Sequence, residues 1–308
     1  MIGERVSIVI LTWNRRDELL RTLSHITAID ASVPIVVVDN ASTDGTAAAV
    51  AQQYPRARLL HLPENAGAAG RNAGAHACTT PYVAFCDDDT WWLPESIAVA
   101  VATLDAHPTL AAVTARVLVG EHRREDPTNA RMAASPLPNT LGLHGSELLG
   151  LLGGACMVRR AAFLAAGGYH RRLFLGCEEV LLATDLMTAG WRMAYLPAAV
   201  VRHFPSRVRD MRARRRLTTR NALWFAWLRR PLGSACAATH DWWSESRRDR
   251  TLIRNAADAL RGLPWVLRER RVVPAHVEQA LRTLARFYGA GDVAPDSRMP
   301  PSAVEPSG

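Results

Sequence analysis

Apolar residues in the first ninety positions come in short unbroken runs, each closed by a polar tip. Arg5 to Leu11 (RVSIVIL) ends at Thr12-Trp13-Asn14, and Pro34-Ile35-Val36-Val37-Val38 ends at Asp39-Asn40. Ala57 to Leu62 is a third run, and Tyr82 to Cys86 a fourth that stops at Asp87-Asp88-Asp89. Runs of this length without alternation predict strands buried on both faces, as in parallel sheets. Between them the period becomes helical. Asp17 opens a pattern carried by Leu19, Leu20, Leu23 and Ile26, and Ser42-Thr43-Asp44-Gly45-Thr46 supplies turn and capping groups for the next helix. Strand and helix alternate, so the amino-terminal part is predicted to be a doubly wound α/β unit. Ligands of such sheets bind beyond the carboxyl ends of the strands. The tips at Thr12–Asn14, Asp39–Asn40, Gly67–Arg71 and Asp87–Asp89 are therefore expected to converge on one crevice.

Further along, Pro94 to His107 reads as a helix and Leu110 to Val119 as a strand. Glu121 to Asn139 is polar and proline-containing, which predicts a mobile loop over the site. Gly153 to Val158 reads as a strand whose glycines admit a close ligand, and Phe163 to Tyr169 as a helix end with a glycine stop. A helix is predicted from Val180 to Ala189, then a closing strand pair at Trp191–Pro197 and Ala199–His203. From Phe204 the chain turns basic, with Arg207, Arg209, Arg212, Arg214, Arg215, Arg216 and Arg220 preceding Trp224, Phe225 and Trp227. The expected division is an α/β domain over 1–205, a basic helical region over 206–290 and a disordered Pro/Ser tail over 291–308.

Composition narrows the class. A hydrophobic share of 48% over 308 residues supports a real core. Every basic side chain other than histidine is Arg, and the net charge of +8 favours anionic partners: lipid, nucleic acid or phosphorylated substrates. The 5 Cys are scattered with no C-x-x-C pair, against a zinc site or a disulfide frame. With neither a leader nor an apolar span, a cytoplasmic protein is expected, peripheral at most at the inner face of the plasma membrane. The segment from Arg207 to Arg220 with its aromatics fits an anionic membrane surface. It fits equally a solvated helix face packed through those aromatics.

The Asp87–Asp89 run carries the candidate chemistry. Three carboxylates closing a buried strand concentrate like charge, which costs energy unless a counter-charge arrives. A divalent cation suits, because it takes carboxylate oxygens and leaves positions for phosphate. A solvated acidic turn would need none. Trp91 and Trp92 follow, fitting either a sugar-stacking face or the core.

Taken in order, several pieces resemble glycosyltransferase family 2, the inverting nucleotide-sugar enzymes of the GT-A fold. They are Ser7-Ile8-Val9-Ile10-Leu11-Thr12-Trp13-Asn14-Arg15, Val37 to Thr46, Asn65-Ala66-Gly67, Arg71-Asn72-Ala73-Gly74, Asp87-Asp88-Asp89, Glu178-Glu179, Ala189 to Arg192 and Val201-Arg202-His203. The resemblance covers roughly the first two thirds of the chain. The basic helices beyond are similar to those of bacterial rhamnosyl- and galactosyltransferase-like members. It implies a Rossmann-like, mostly parallel central sheet with flanking helices, plus a C-terminal helical extension. It also implies a metal-dependent transfer from a UDP- or dTDP-sugar to a hydroxyl of a glycan, lipid-linked or small-molecule acceptor, in cell-envelope polysaccharide synthesis.

By that resemblance Asp39 accepts the imide N–H of uracil or thymine, with Thr12, Asn14 and Asn40 lining the pocket. The alternative for Asp39 is helix capping. Gly67 lets backbone approach the ligand, and Arg71 brings charge toward the nucleotide or the Asp run. Asp87 and Asp89 are similar to a DXD pair: Asp89 binds Mn²⁺ or Mg²⁺, with Asp87 or Asp88 toward ribose or reaching the metal through water. His203 matches an extra metal ligand, and Glu179 the general base. Two acids at a helix N-terminus are also favourable for the helix itself. The chain departs at Leu181-Leu182, where members commonly carry another acid; Asp185 is the next one along. A dinucleotide oxidoreductase would need G-x-G-x-x-G after the first strand, and Thr12-Trp13-Asn14-Arg15-Arg16-Asp17 stands there. A nucleotidyltransferase would need a Gly-rich basic loop at the same place. The remaining rival is a non-catalytic basic module for anionic lipid or nucleic acid, against which the Asp run argues by repelling phosphates.

Overall fold

In the computed structural model, which describes residues 2–28, 32–205, 211–248 and 252–289, the apolar runs are neighbouring strands of one 10-stranded sheet. β1 (Val6–Thr12) pairs in parallel with β2 (Ile35–Asp39) on one side and β4 (Tyr82–Asp87) on the other. β3 (Arg58–His61) continues in parallel beyond β2. Alternate side chains of these strands enter two separate cores, as the two-residue period requires. Ile8 and Ile10 pack with Leu19 and Leu23 of α1 (Arg16–Thr27) and Ile97 of α4 (Pro94–Ala106). Val9 and Val38 pack on the opposite face with Ala75 of α3 (Gly70–Ala77). α2 (Thr46–Gln53) follows β2, with Asp44 Oδ1 accepting the Thr46 N–H at 3.1 Å.

The second half reverses direction once. β9 (Cys156–Arg159) is antiparallel to both β4 and β6 (Leu110–Val119), and β10 (Arg192–His203) is parallel to β6. β6 and β10 therefore run the same way as β1 and β4. The carboxyl ends of β1, β2, β4 and β10 share one edge with the turn that enters β9. β5 (Thr90–Trp92), β7 (Arg124–Glu125) and β8 (Ser146–Leu148) are short antiparallel additions.

Three expectations need correction, and one left open is decided. Positions 121–139 are not an open loop: they hold β7 and α5 (Pro127–Ala133), the latter capped by Asp126, which accepts the Thr128 N–H at 2.9 Å. Asn129 then clamps Val117, accepting its N–H at 2.9 Å and donating to its carbonyl at 2.7 Å. The closing strand pair is one strand, β10, whose register against β6 slips between Leu196 and Val200 and so absorbs Pro197. The strand expected from Gly153 begins at Cys156, leaving Gly153 and Gly154 in the preceding turn. Of the two readings left open for Trp91 and Trp92, the core is the one found. Trp91 is stacked between His25 and Phe204 with centroids 4.1 and 5.1 Å away, so no face is left for a sugar.

α6 (Arg160–Ala165) and α7 (Glu178–Thr188) lie over the Val9 face, followed by α8 (Met211–Arg229), α9 (Leu232–Arg248), α10 (Leu252–Arg268) and α11 (Ala275–Tyr288). Trp224, Phe225, Trp265 and Leu281 belong to the same buried cluster as Val9, Val180 and Leu182, so these helices complete a core that the sheet begins. Arg229 grips Asp185 of α7 with two nitrogens, at 2.5 and 2.9 Å. Because Trp224 and Phe225 turn inward, the aromatics after the arginine run are not a membrane face. The side chains of Arg207, Arg209 and Arg212, and the expected tail 291–308, lie outside the described residues. Among the described residues no helix is long and apolar enough to cross a membrane.

Candidate functional site

The three aspartates at the end of β4 divide between two arginines. Asp88 and Asp89 are buried and turned toward the tip of β1. Thr12 Oγ1 donates to Asp88 Oδ2 at 3.0 Å, and the Arg15 guanidinium spans both acids, 2.5 Å from Asp88 Oδ1 and 2.8 Å from Asp89 Oδ2. Burial pushes the Asp88 carboxyl up to about 8, with the charges of Asp89 and Asp87 adding and Arg15 and Thr12 opposing. A solvated acidic turn is thereby excluded, and Arg15 supplies counter-charge to both acids. Asp87 faces the other way and pairs with buried Arg71.

Asp89 Oδ1 lies 3.7 Å from His203 Nε2, and the Phe204 N–H donates to the Asp89 carbonyl at 2.9 Å, fixing β10 against the acid. Among the described residues no three His, Cys, Asp or Glu side chains gather into a metal cage. The Asp89–His203 pair fits a cation that takes two donors from the protein and keeps its other positions for phosphate oxygens and water. Asp87 is not brought to that pair.

The residues that the resemblance assigns to the nucleotide do meet, and they also hold one another's loops. Asp39 is fully buried, with Oδ2 2.9 Å from His61 Nδ1 and Oδ1 accepting the Ser42 N–H at 2.9 Å. It closes the turn after β2, while Asp44 caps the helix. Asn14, at φ 52°, accepts the Thr43 N–H at 2.7 Å, and its own N–H donates to Ser42 Oγ at 2.8 Å. Asn40 donates to the Gly67 carbonyl at 3.0 Å. Gly67 was expected to approach a ligand. Instead, at φ +59°, a Cβ there would lie 2.2 Å from the Phe174 carbonyl oxygen, which accepts the Ala68 N–H at 2.8 Å. Its lack of a side chain serves a backbone-to-backbone contact.

Glu178 and Glu179 open α7 just after Cys177, a non-glycine residue at φ 65°. Glu179 is half-buried and accepts the Gly153 N–H. Desolvation pushes its carboxyl up to about 8, the charge of Glu178 adding, while the Gly153 N–H and Arg71 oppose. Glu178 is also pushed up by burial, and its Oε2 has no hydrogen-bond partner among the described residues. A methyl on Gly153 would stand 2.9 Å from Glu179 Oε1 and 3.4 Å from Arg71 Cζ, and one on Gly154 would stand 2.5 Å from Asp87 Oδ2. The two glycines let the chain pass between the reactive side chains, leaving no gap there for a ligand. Arg71 thus links the Asp87 side of the crevice to Glu179.

Comparison with known proteins gives the family. The family model described as Glycosyl transferase family 2 matches residues 7–165, more than half of the chain. The chain belongs to glycosyl transferase family 2. Over 235 residues it is 28% identical to N-acetylglucosaminyl-diphospho-decaprenol L-rhamnosyltransferase of Mycobacterium tuberculosis, covering 64% of this chain and 75% of that one. Its fold is similar to that of S. aureus TarS 1–349 in complex with UDP-GlcNAc, with TM-score 0.62 and 16% identity over 94% of this chain and 88% of that one. The mannosyltransferase PcManGT from Pyrobaculum calidifontis, in complex with GDP-Man and Mn²⁺, is similar with TM-score 0.54 and 22% identity over 92% and 76%. The protein is a glycosyltransferase with a GT-A sheet and a helical carboxy-terminal region.

Two residues of this family 2 protein have roles that the sequence reading missed. Arg15 stands beside Asn14 at the expected tip, so its position was legible, but nothing local pairs it with acids 73 and 74 residues on. Asn221 of α8 sets its amide against the carbonyls of Leu173, Leu175 and Gly176 at 2.7, 3.1 and 2.7 Å, holding the loop that leads into Glu178 and Glu179. Asp185, the downstream acid, is engaged with Arg229 in place of the acceptor.

Proposed function

We propose that this glycosyltransferase is metal-dependent and inverting, and moves a sugar from a UDP- or dTDP-sugar to a hydroxyl of a lipid-linked acceptor. The observation that carries the reading is Glu179: one half-buried carboxyl at the start of α7, held by the Gly153 N–H and raised by burial toward the working range of a general base. Glu179 takes the proton of the acceptor hydroxyl as its oxygen bonds to the anomeric carbon. The bond from that carbon to the diphosphate breaks, and the nucleoside diphosphate leaves with the electron pair. One displacement inverts the anomeric centre.

Asp39, held by His61 and Ser42, would accept the N–H of the base, with Asn14 and Asn40 fixing the adjoining loops. Asp89 and His203 would hold Mn²⁺ or Mg²⁺, which when bound supplies Lewis acidity to the leaving diphosphate. Arg71 orients Asp87 and keeps positive charge beside the crevice. The name of the mycobacterial relative supports a diphosphate-linked lipid acceptor, and the ligands of the two similar structures support a nucleotide-sugar donor and Mn²⁺. Calorimetric titration of UDP and dTDP, with and without Mn²⁺, tests the reading on wild type and Asp89→Ala. Metal-dependent binding that the variant loses is expected; unchanged binding in Asp89→Ala would remove the assigned metal site.

A further inference from the structure

α10 is apolar on two faces. Its inner face carries Gly262, against which Trp224 packs so closely that a Cβ would lie 2.2 Å from the indole, and buried Trp265 and Val266. Its outer face carries Leu260, Leu263 and Leu267, which remain 64%, 38% and 51% exposed. Their spacing of three and four residues puts them in one row along the helix. Core packing already occupies the inner face, so the outer row is surplus to folding.

The surroundings of the row are basic. Arg261 and Arg268 extend from the same helix with side chains 77% and 71% exposed, and exposed Arg271 follows its end. The nearby acids are already shared: Asp258 between Arg216 and Arg261, and Glu269 between His170 and Arg268. An apolar row flanked by arginines matches the interface of an anionic bilayer, where leucines enter the acyl boundary and guanidinium groups meet phosphates. A second copy of the chain is a poorer occupant, because a two-fold contact would bring these arginines against their own counterparts.

We infer that the outer face of α10, through Leu260, Leu263 and Leu267 with Arg261 and Arg268, docks the protein on an anionic lipid surface. The membrane face is thereby assigned to α10, away from the arginine run that precedes Trp224. The placement suits the reaction, and in that respect it rests on the proposed lipid-linked acceptor. Trp265 on the inner face stacks on His170 with centroids 4.9 Å apart, and His170 begins the loop that leads to Glu178 and Glu179. The helix that meets the lipid therefore backs onto the loop that carries the base.

The test is sedimentation of the full chain with phosphatidylcholine vesicles, with and without phosphatidylglycerol, at low and high salt. UDP binding is measured on the same samples. Binding is expected only to the anionic vesicles and to weaken with salt. Leu260→Ser/Leu263→Ser/Leu267→Ser should lower the partition coefficient about tenfold or more with UDP binding unchanged. Arg261→Gln/Arg268→Gln should lower it and flatten its salt dependence. Equal binding by the leucine variant, no binding by wild type, or equal binding to neutral vesicles would overturn the inference. So would a wild-type dimer that the leucine variant converts to monomer. Loss of UDP binding under every metal condition would instead strike the transferase reading and leave the lipid result standing.

Discussion

Replacing Glu179 by Gln should cut turnover and, at alkaline pH, make the protein more stable. The stability effect follows from where the carboxyl titrates. Its ordinary value is 4.5 and burial beside Glu178 carries it to about 8. At 1.36 kcal/mol per decade, ionising it in the folded chain costs on the order of 5 kcal/mol more than in the unfolded chain. Partial exposure and the shared titration with Glu178 reduce this to about 2–5 kcal/mol. Below pH 4.5 both states keep the proton. Between 4.5 and about 8 the unfolded chain releases it and the folded chain does not, so stability falls as pH rises. Above about 8 the loss is complete. Gln has no proton to lose and retains an oxygen for the Gly153 N–H. Asp88 titrates in the same range in both proteins and cancels in the difference. Urea unfolding at a series of pH values should therefore show the variant gaining on wild type as pH rises. Release of nucleoside diphosphate should fall by about 10²–10⁴ for loss of a general base, and wild-type kcat/KM should climb with pH toward 8. A variant that keeps wild-type turnover, or whose stability tracks wild type at every pH, would refute the assignment.

Two further outcomes are expected. Arg15→Ala removes the guanidinium that spans Asp88 and Asp89. It should lower metal-free stability by about 1–3 kcal/mol, and Mn²⁺ should recover more of its melting temperature than Mn²⁺ adds to wild type. Equal metal-induced shifts in thermal melts would show that Arg15 does not stand in for the cation. Asn221→Ala removes the amide under Leu173, Leu175 and Gly176. Calorimetry should find UDP binding unchanged while kcat falls about tenfold; a kcat equal to wild type would mean that the loop is held without it.

What the sequence disclosed, and what it hid, follow from the reach of each signal. β1, β2 and β4 were legible because both their faces are buried, which leaves no polar alternation. The tips they deliver were legible for the same reason. The helix at Pro127–Ala133 was hidden by its composition, although Asp126-Pro127 is a start signal: a capping acid followed by a proline at the first helical position. Pro197 looked like a break because nothing local reveals that a register slip can absorb it. Gly67 was recognised as a close-approach residue, but its neighbour, Phe174, lies 107 positions away. Arg15 and Asn221 also act across long separations, up to 74 and 48 positions, and no pattern of period two or 3.6 encodes such contacts.

The seam between Gly67 and Phe174 bears on how this enzyme could be re-engineered. The turn at Gly67 and the loop before Glu178 are sewn together there, backbone to backbone, and Asn221 ties the same loop to the carboxy-terminal helices. A chimera that exchanges only the helices after position 205 would separate Asn221 from the three carbonyls it was fitted to. A transplant that travels as a unit has to carry residues 170–177 along with α8 and land opposite a glycine at position 67. If Glu179 is the base as proposed, the acceptor side is a cassette with two non-contiguous ends, and the turn at Gly67 is the socket it must match.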